Sequence, residues 1–497
     1  MEITGHVGVA SSEPQKLRRE LNLWEAIGIS LALMAPSMAA NINPQGTAGQ
    51  VGRAVPLAFL VATIGVLLVA YGFVRLTQQF HHAGSVYGFV GVTLGPRAGV
   101  FAGQALMGTY IFYAVVTSMA AGIFGASFLQ AVGIIPAGDP NTNAQFAIGF
   151  LALVGSAWLA FVPVRNGTRI LLTVEGITVA LILITAVVIV IKLAAGSAPA
   201  GQTLSLDPFI PDSGTGLSAI AVGSVFGFLS FAGFEAAATL GEESKDPTRH
   251  IPRAILGVAV FGGIYFVFVT WVEVLGFGTS ADGVKSFIAS GSLLGDLGTA
   301  FIGPWVGNLI TIGAAVSAFG CCLACLVGAS RLLFALSRDN ADTVGFNYTA
   351  KVSTRFGTPM GALLAVVLAA AAIILLWAVI FGAHAFDVFL GAGVIGTLIL
   401  LVAYFFATIG AIKFLFFSGT ARVARWEIVI PLAALIVLGL TLYYNLSFDP
   451  TTTAFYYEIV TVVWLVMGLA LVFGMPGIAR RVGQRLSQDE GLSTTRS

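Results

Sequence analysis

Twelve stretches of about 20 mostly apolar residues leave this chain few ways to fold. They run at 24–43, 54–76, 98–131, 144–163, 168–193, 218–241, 252–277, 301–336, 359–382, 386–410, 428–446 and 454–475. A segment of that length and polarity spans a bilayer as a helix, because lipid offers no partner to an unpaired backbone N–H or C=O. Composition agrees: 57% of the 497 residues are hydrophobic and 9% charged, against about 25% charged in soluble domains. The sequence therefore predicts an all-α membrane protein with 12 transmembrane helices. The third and eighth stretches are long enough to tilt or to project beyond the bilayer.

Lysine and arginine orient the spans. With the amino terminus inside, 21 of the 24 basic residues fall on the cytoplasmic side, and Arg53, Lys192 and Lys285 fall outside. This places residues 1–23 and 476–497 as cytoplasmic tails of a multi-pass protein of the cell (cytoplasmic) membrane. The first tail is polar and has no small-residue cleavage site after a short apolar segment, so it reads as uncleaved.

Several function classes drop out. A net charge of +1 without a concentrated basic tract gives no footprint for nucleic acid. Cys321, Cys322 and Cys325 share one apolar segment with no His or carboxylate nearby; they read as packing residues, with neither disulfide nor metal, and no cofactor is implied. No HExxH, GxSxG or His cluster marks an enzyme. No span repeats polar residues at helical spacing, as a channel lining would. A transporter-like sensor needs a soluble signalling domain, for which both tails are short.

Spans 1–5 and 6–10 match each other in layout. In 24–193 a long connection, about 77–97, follows the second span on the inside. In 218–413 a long connection, about 278–300, follows the seventh span on the outside. Each contains a short amphipathic stretch and leads into an unusually long helix. Five is odd, so the second set is inverted relative to the first: a 5+5 inverted repeat, followed by two further helices at 426–475. The first span of each set is interrupted. Span 1 carries Met34, Ala35, Pro36 and Ser37, where proline removes a backbone donor. Span 6 carries Ser230, Phe231, Ala232, Gly233 and Phe234. Unwound backbone survives at membrane depth where it is buried in protein or lines a polar cavity. Paired breaks point to a substrate site between the two halves.

The stretch 226–256, FGFLSFAGFEAAATLGEESKDPTRHIPRAIL, resembles the signature of the amino acid–polyamine–organocation (APC) superfamily. GSVYGFVGVTLGPRAG at 84–99 and SRLLFALSRD at 330–339 are similar to that family's inner loop between helices 2 and 3 and to the end of its helix 8. The resemblance covers about 20–475. It implies a LeuT-type fold and a permease that moves amino acids, polyamines or related amines on a proton or sodium gradient, or by exchange. It also implies that substrate meets the unwound parts of helices 1 and 6. Many relatives have a glycine-rich segment in helix 1 whose N–H groups cradle a carboxylate. Met34 to Ser37 depart from it, which leaves open a substrate without a carboxylate, such as a diamine.

Further candidates follow. Phe231 sits where the family often has an aromatic gate. Glu175 in helix 5 and Glu235 in helix 6 are carboxyls at membrane depth, where an acid faces a cavity or a partner; both are candidates for carrying a proton. Arg18, Arg19, Glu242, Glu243 and Arg249 are candidates for a cytoplasmic gate, with Asp246 and Arg253 in the same cluster. His81 and His82 read as surface residues of the inner loop, and Asn41 and Asn43 as lining an outer vestibule. By the resemblance, the helix-8 position that carries the sodium-binding hydroxyls falls near Ala324 and Cys325, neither a hard oxygen donor. Protons are thus the expected coupling ion, with an amino acid or organic amine as substrate and the lipid bilayer as a further partner.

Overall fold

The computed structural model describes residues 22–80, 86–136, 142–161, 165–240, 244–338, 346–353, 358–419, 422–477 and 480–481, with the side chains of 165–169 and 346 left aside. Helix is the only repeating structure among them, and no strand occurs. Helix α1 (Leu23–Met34) begins at Asn22, whose side chain accepts from Trp24 and Glu25 amides while Glu25 reaches back to the Asn22 amide. This reciprocal cap fixes the start of the first membrane segment. Helix α2 (Pro36–Val51) follows after a single residue, then α3 (Val55–Thr77), the short α4 (Val86–Leu94) and the 36-residue α5 (Pro96–Ala131). Next come α6 (Thr142–Phe161), α7 (Arg165–Ala194) and α8 (Leu217–Phe231), which ends in an irregular turn and a 3-10 segment at Ala236–Leu240. Helix α9 (Pro247–Phe277) leads to two short amphipathic helices, α10 (Ala281–Ala289) and α11 (Leu293–Phe301), and to the 35-residue α12 (Pro304–Arg338). The remainder is α13 (Phe346–Thr349), α14 (Met360–Leu375), α15 (Ala385–Ile412), α16 (Val429–Asn445) and α17 (Ala454–Gly474).

Among the described residues, eleven helical stretches are long and apolar enough to cross a membrane, the first running 55 residues from Leu23 to Thr77. That stretch takes in the first two expected spans, which are joined by the three-residue 3-10 turn at Gly52–Ala54. The other ten expected spans each overlap one helical stretch, with edges that agree within about three residues except at Pro247, five residues before the expected start, and Phe417, seven beyond the expected end.

Packing is arranged around the interrupted helices. Helix α2 lies against α8, α3 against α9, and α5 against both α12 and α15. The membrane-length cores of α5 and α15 are mostly enclosed by protein, whereas those of α6, α14 and α17 are mostly exposed. Helices in lipid gain little from apolar contact alone and rely on close approach and internal polar bonds. Where α5 crosses α6, a methyl group on Gly122 or Gly149 would collide with the facing backbone or Met119. At one end of the bundle, Glu427 accepts from Arg75 at 2.6 Å and from the Tyr71 hydroxyl at 2.7 Å, tying α3 to the segment before α16. At the other end, Arg53 pairs with Asp212 at 2.6 Å.

Candidate functional site at the paired helix breaks

Ala35 separates α1 from α2 in the left-handed region, at φ 46° and ψ 58°. With Phe448 it is one of two non-glycine residues among those described with positive φ. Such a conformation costs an L-residue roughly 1–2 kcal/mol, and surrounding structure must hold it. Pro36 stands at the first position of α2, where its fixed φ suits a helix start and its missing N–H is not needed. The proline that interrupts the membrane segment therefore also starts its second half.

Helix α8 breaks beside it. Ala232 leaves helical geometry at ψ 127°, and Gly233 takes φ 102°. A methyl group on Gly233 would lie 2.8 Å from Leu33 Cβ and 3.1 Å from the Leu33 carbonyl carbon. The two breaks thus touch backbone to backbone. Ser30, a residue without any flag in the sequence, joins them: its hydroxyl donates to the Phe234 carbonyl at 3.2 Å and accepts from the Ala237 amide at 3.0 Å. That satisfies the turn that α8 leaves open.

The backbone groups freed by the first break are taken up by three other helices. From α7, Glu175 Oε1 accepts from the Ser37 amide at 2.8 Å. From α12, the Ser317 hydroxyl accepts from the Met38 amide at 3.3 Å, and the Cys321 thiol donates to the Leu33 carbonyl at 3.0 Å. From α9, the Tyr265 hydroxyl donates to the Pro36 carbonyl at 3.3 Å. Glu175 is 7% exposed and Ser37 fully buried. A carboxylate at the amino end of a helix faces the positive end of the peptide dipoles, so Glu175 caps α2 from a neighbouring helix. The residues of α12 at the break are Ser317 and Cys321, not the expected Ala324 and Cys325. The one hydroxyl of this helix within reach of Glu175 and the break lies two turns nearer the start of α12.

The aromatic side of the site is dense. Phe231 is fully buried, edge-on to Phe266 with centroids 5.3 Å apart, and its ring abuts Gly262, which also faces Met34. Phe234 packs edge-on to Phe73 and Tyr404. Glu235 follows in the turn, 6% exposed, with its carboxyl beside the Tyr404 hydroxyl. The residues expected to bind substrate, 34–37 and 230–234, are thus gathered in one place, with Glu175 on one side and Glu235 on the other.

Other expectations fare differently. Asn41 and Asn43 are fully buried and do not line a vestibule. Asn41 Oδ1 accepts from the Ser292 hydroxyl at 3.0 Å and the Leu294 amide at 2.9 Å, and Asn43 donates to the Ser230 hydroxyl at 2.8 Å. They lock α2 to α11 and α8, Asn41 through its amide oxygen, with its nitrogen on the Ser37 carbonyl of α2 itself, and Asn43 through its amide nitrogen. Arg249 is exposed and pairs with Asp246 of its own helix at 3.8 Å. Arg18, Arg19, Glu242 and Glu243 lie outside the described residues, as do His81 and His82. Cys321, Cys322 and Cys325 are buried free thiols, and no cluster of metal-ligating side chains occurs among the described residues.

Above the site lies a cavity of about 860 Å³ between α2, α8, α15, α16 and α17. Aromatic rings dominate its wall, including Phe226, Trp377, Tyr444 and Tyr457. Asp387 and Glu458 also line it, their carboxyls held by the His384 amide and by the Ser447 hydroxyl and Phe448 amide, and no lysine, arginine or histidine is among its described lining residues.

Residues 21–472 match the family model for amino acid permeases. The chain belongs to the amino acid permease family. Among its relatives, this permease is 28% identical over 328 residues to the low-affinity putrescine importer PlaP of Escherichia coli (strain K12), covering 65% of the present chain and 68% of that protein. It is 24% identical over 343 residues to the branched-chain amino acid permease BcaP of Bacillus subtilis (strain 168), covering 66% and 69%. It is 29% identical over 359 residues to an uncharacterized transporter of Mycobacterium tuberculosis (strain ATCC 25618 / H37Rv), covering 71% and 73%. As a permease it is a multi-pass membrane protein of the APC superfamily, with small-molecule cargo.

Proposed function

We propose that this permease is a proton-coupled secondary transporter for an amino acid or related organic amine, working by alternating access around the paired breaks. The observation that carries the reading is the Glu175–Ser37 contact. In a carboxylate-binding permease, the free amides at the start of α2 receive the substrate. Here Pro36 has no amide hydrogen, Ser37 donates to Glu175 and Met38 donates to Ser317. An internal carboxyl thus holds the place of a substrate carboxylate. Protonation weakens its hold, since a neutral carboxyl is a poorer acceptor and feels no attraction to the helix end. Proton binding to Glu175 then frees the start of α2, and loss of the proton re-forms the cap. This ties proton occupancy to the conformation of the break, as coupling requires.

Two observations favour an amine end without a carboxylate. The amides that would cradle a carboxylate are occupied, and the neighbouring cavity presents aromatic faces with no base among its described lining residues. Cations are attracted by such faces. The likeness to a putrescine importer agrees, and the likeness to a branched-chain amino acid permease keeps zwitterionic substrates in the test.

The rest of the assignment follows from the charge distribution and the layout. Leu23–Thr77 crosses twice, giving 12 crossings, with 24–193 and 218–413 as inverted halves of a LeuT-type fold and 426–475 as two added helices. Both termini are cytoplasmic, in the cell membrane. Phe231 closes over the substrate, and Glu235 with Tyr404 forms a second polar point beneath it. The experiment is uptake of a labelled panel (a diamine, a basic amino acid and a branched-chain amino acid) into proteoliposomes. Movement of none of them under any imposed gradient, or by exchange, overturns the assignment.

A further inference from the structure

Glu273 lies in α9, one turn before its outer end at Phe277, and is fully buried. Both of its carboxyl oxygens lack a hydrogen-bond partner. Titratable groups on the elements packed against α9 are engaged elsewhere. On α1, Glu25 caps the helix start. On α3, Arg75 and Tyr71 are held by Glu427 at the opposite face. On α7, Glu175 holds Ser37, and the Lys192 ammonium donates to the Phe301 carbonyl. On α10, Asp282 and Lys285 face each other at 3.7 Å, and on α11 Asp296 accepts from the Ser290 hydroxyl. Asp207 lies in the short turn at Asp207–Phe209 that touches α9. Helix α2 has no titratable side chain. On α9 itself, Arg249, His250 and Arg253 are at the cytoplasmic end, and Tyr265 lies two turns below Glu273. Tyr265 is within electrostatic reach of both Glu273 and Glu175, and its hydroxyl bonds the Pro36 carbonyl at the first break.

The outer end of α9 is covered by chain that is not part of the bundle. Trp271 donates to the Ser205 carbonyl at 2.8 Å and Gln202 donates to the Gly276 carbonyl at 2.8 Å, while α10 and α11 pack alongside. An ionised carboxylate that no protein donor reaches is strongly disfavoured in such a buried place. We propose that Glu273 is a second proton-binding group, so that closing the outer side of the permease over it requires uptake of one proton from the outer solution, and reopening releases it. The inference rests on the reading of this chain as a proton-coupled permease. It adds that the outer closure, and not the helix break alone, is proton-linked. Glu273 acts on conformation; it is not placed in contact with substrate.

The test compares wild type with Glu273→Gln and Glu273→Asp in proteoliposomes, using the panel member that wild type transports. Glu273→Gln should retain exchange of internal for external substrate, lose at least tenfold in accumulation driven by an outside-acid gradient, and show an uptake rate that varies less steeply with outer pH, Glu175 still being present. Glu273→Asp should restore the pH dependence. Wild-type accumulation and an unchanged pH profile in Glu273→Gln overturn the inference and leave the role of Glu175 standing. No pH-driven accumulation in wild type counts instead against proton coupling itself. If Glu273→Gln fails to fold, infrared spectra of the wild type at neutral pH decide: the C=O stretch of a buried protonated carboxyl, persisting in Glu175→Gln and Glu235→Gln, supports the proposal. Its absence refutes it.

Discussion

Gly233→Ala places one methyl group where the two broken helices touch, and its cost follows from the geometry. The new carbon would sit 2.8 Å from both Cβ and Cγ of Leu33 and 3.1 Å from the Leu33 carbonyl carbon, against about 3.5–4.0 Å for relaxed carbon contacts. Leu33 is held through its carbonyl by Cys321, so it has little room to withdraw. Overpacking of this kind costs about 1–3 kcal/mol. The φ of 102° at Gly233 adds about 1–3 kcal/mol for any residue with a Cβ. Even the lower bound, about 2 kcal/mol, disfavours the closed arrangement by roughly 30-fold at 1.36 kcal/mol per decade. If transport passes through this arrangement, the initial rate of uptake should fall by about that factor or more. Membrane yield and elution as a single species in detergent should be unchanged, because alanine is apolar and the site is internal. A Gly233→Ala protein that transports at the wild-type rate would show that the contact between the breaks has no part in the cycle.

Further outcomes are expected elsewhere. Ala35→Gly should relieve about 1 kcal/mol of left-handed strain and hold or raise the thermal midpoint in detergent, whereas Ala35→Val should lower it; the reverse order would contradict the backbone geometry at the first break. Ser317→Ala removes the acceptor of the Met38 amide, a loss of about 1–2 kcal/mol. It should raise the KM for uptake about tenfold with expression intact, and an unaltered KM would separate α12 from the site. Thr203→Cys, in the segment before α8, should react with an impermeant maleimide in whole cells; labelling only after permeabilisation would invert the proposed orientation.

What the sequence made legible, and what it hid, divides along physical lines. Span positions were readable because a bilayer imposes both length and polarity on a segment. The breaks were readable because Pro36 and Gly233 are residues whose backbone chemistry differs from the rest. Glu175 stood out as an acid at membrane depth, and the structure places it against Ser37. The partner on α12 was missed because a 35-residue helix without internal punctuation gives no register: Ser317 and Ala324 lie two turns apart, and nothing local separates them. Asn41 and Asn43 were misplaced because an amide in an apolar helix satisfies either water or a neighbouring backbone, and only the fold decides which. Ser30 is one hydroxyl in an apolar run, without a pattern to reveal that it bridges two helices. Glu273 carried a usable signal, being the only acid between residues 247 and 277 of α9, and the rule that singled out Glu175 applied to it equally.

The central claim is that a proton on Glu175 governs the helix break and so drives transport. It is tested most directly by uptake into proteoliposomes holding wild type or Glu175→Gln, under a pH gradient without sodium and then under a sodium gradient at equal pH. The account predicts accumulation by wild type under the outside-acid gradient alone, its collapse with a protonophore, and no accumulation by Glu175→Gln, which still exchanges substrate. Accumulation that requires sodium, ignores the pH gradient and survives in Glu175→Gln would contradict it.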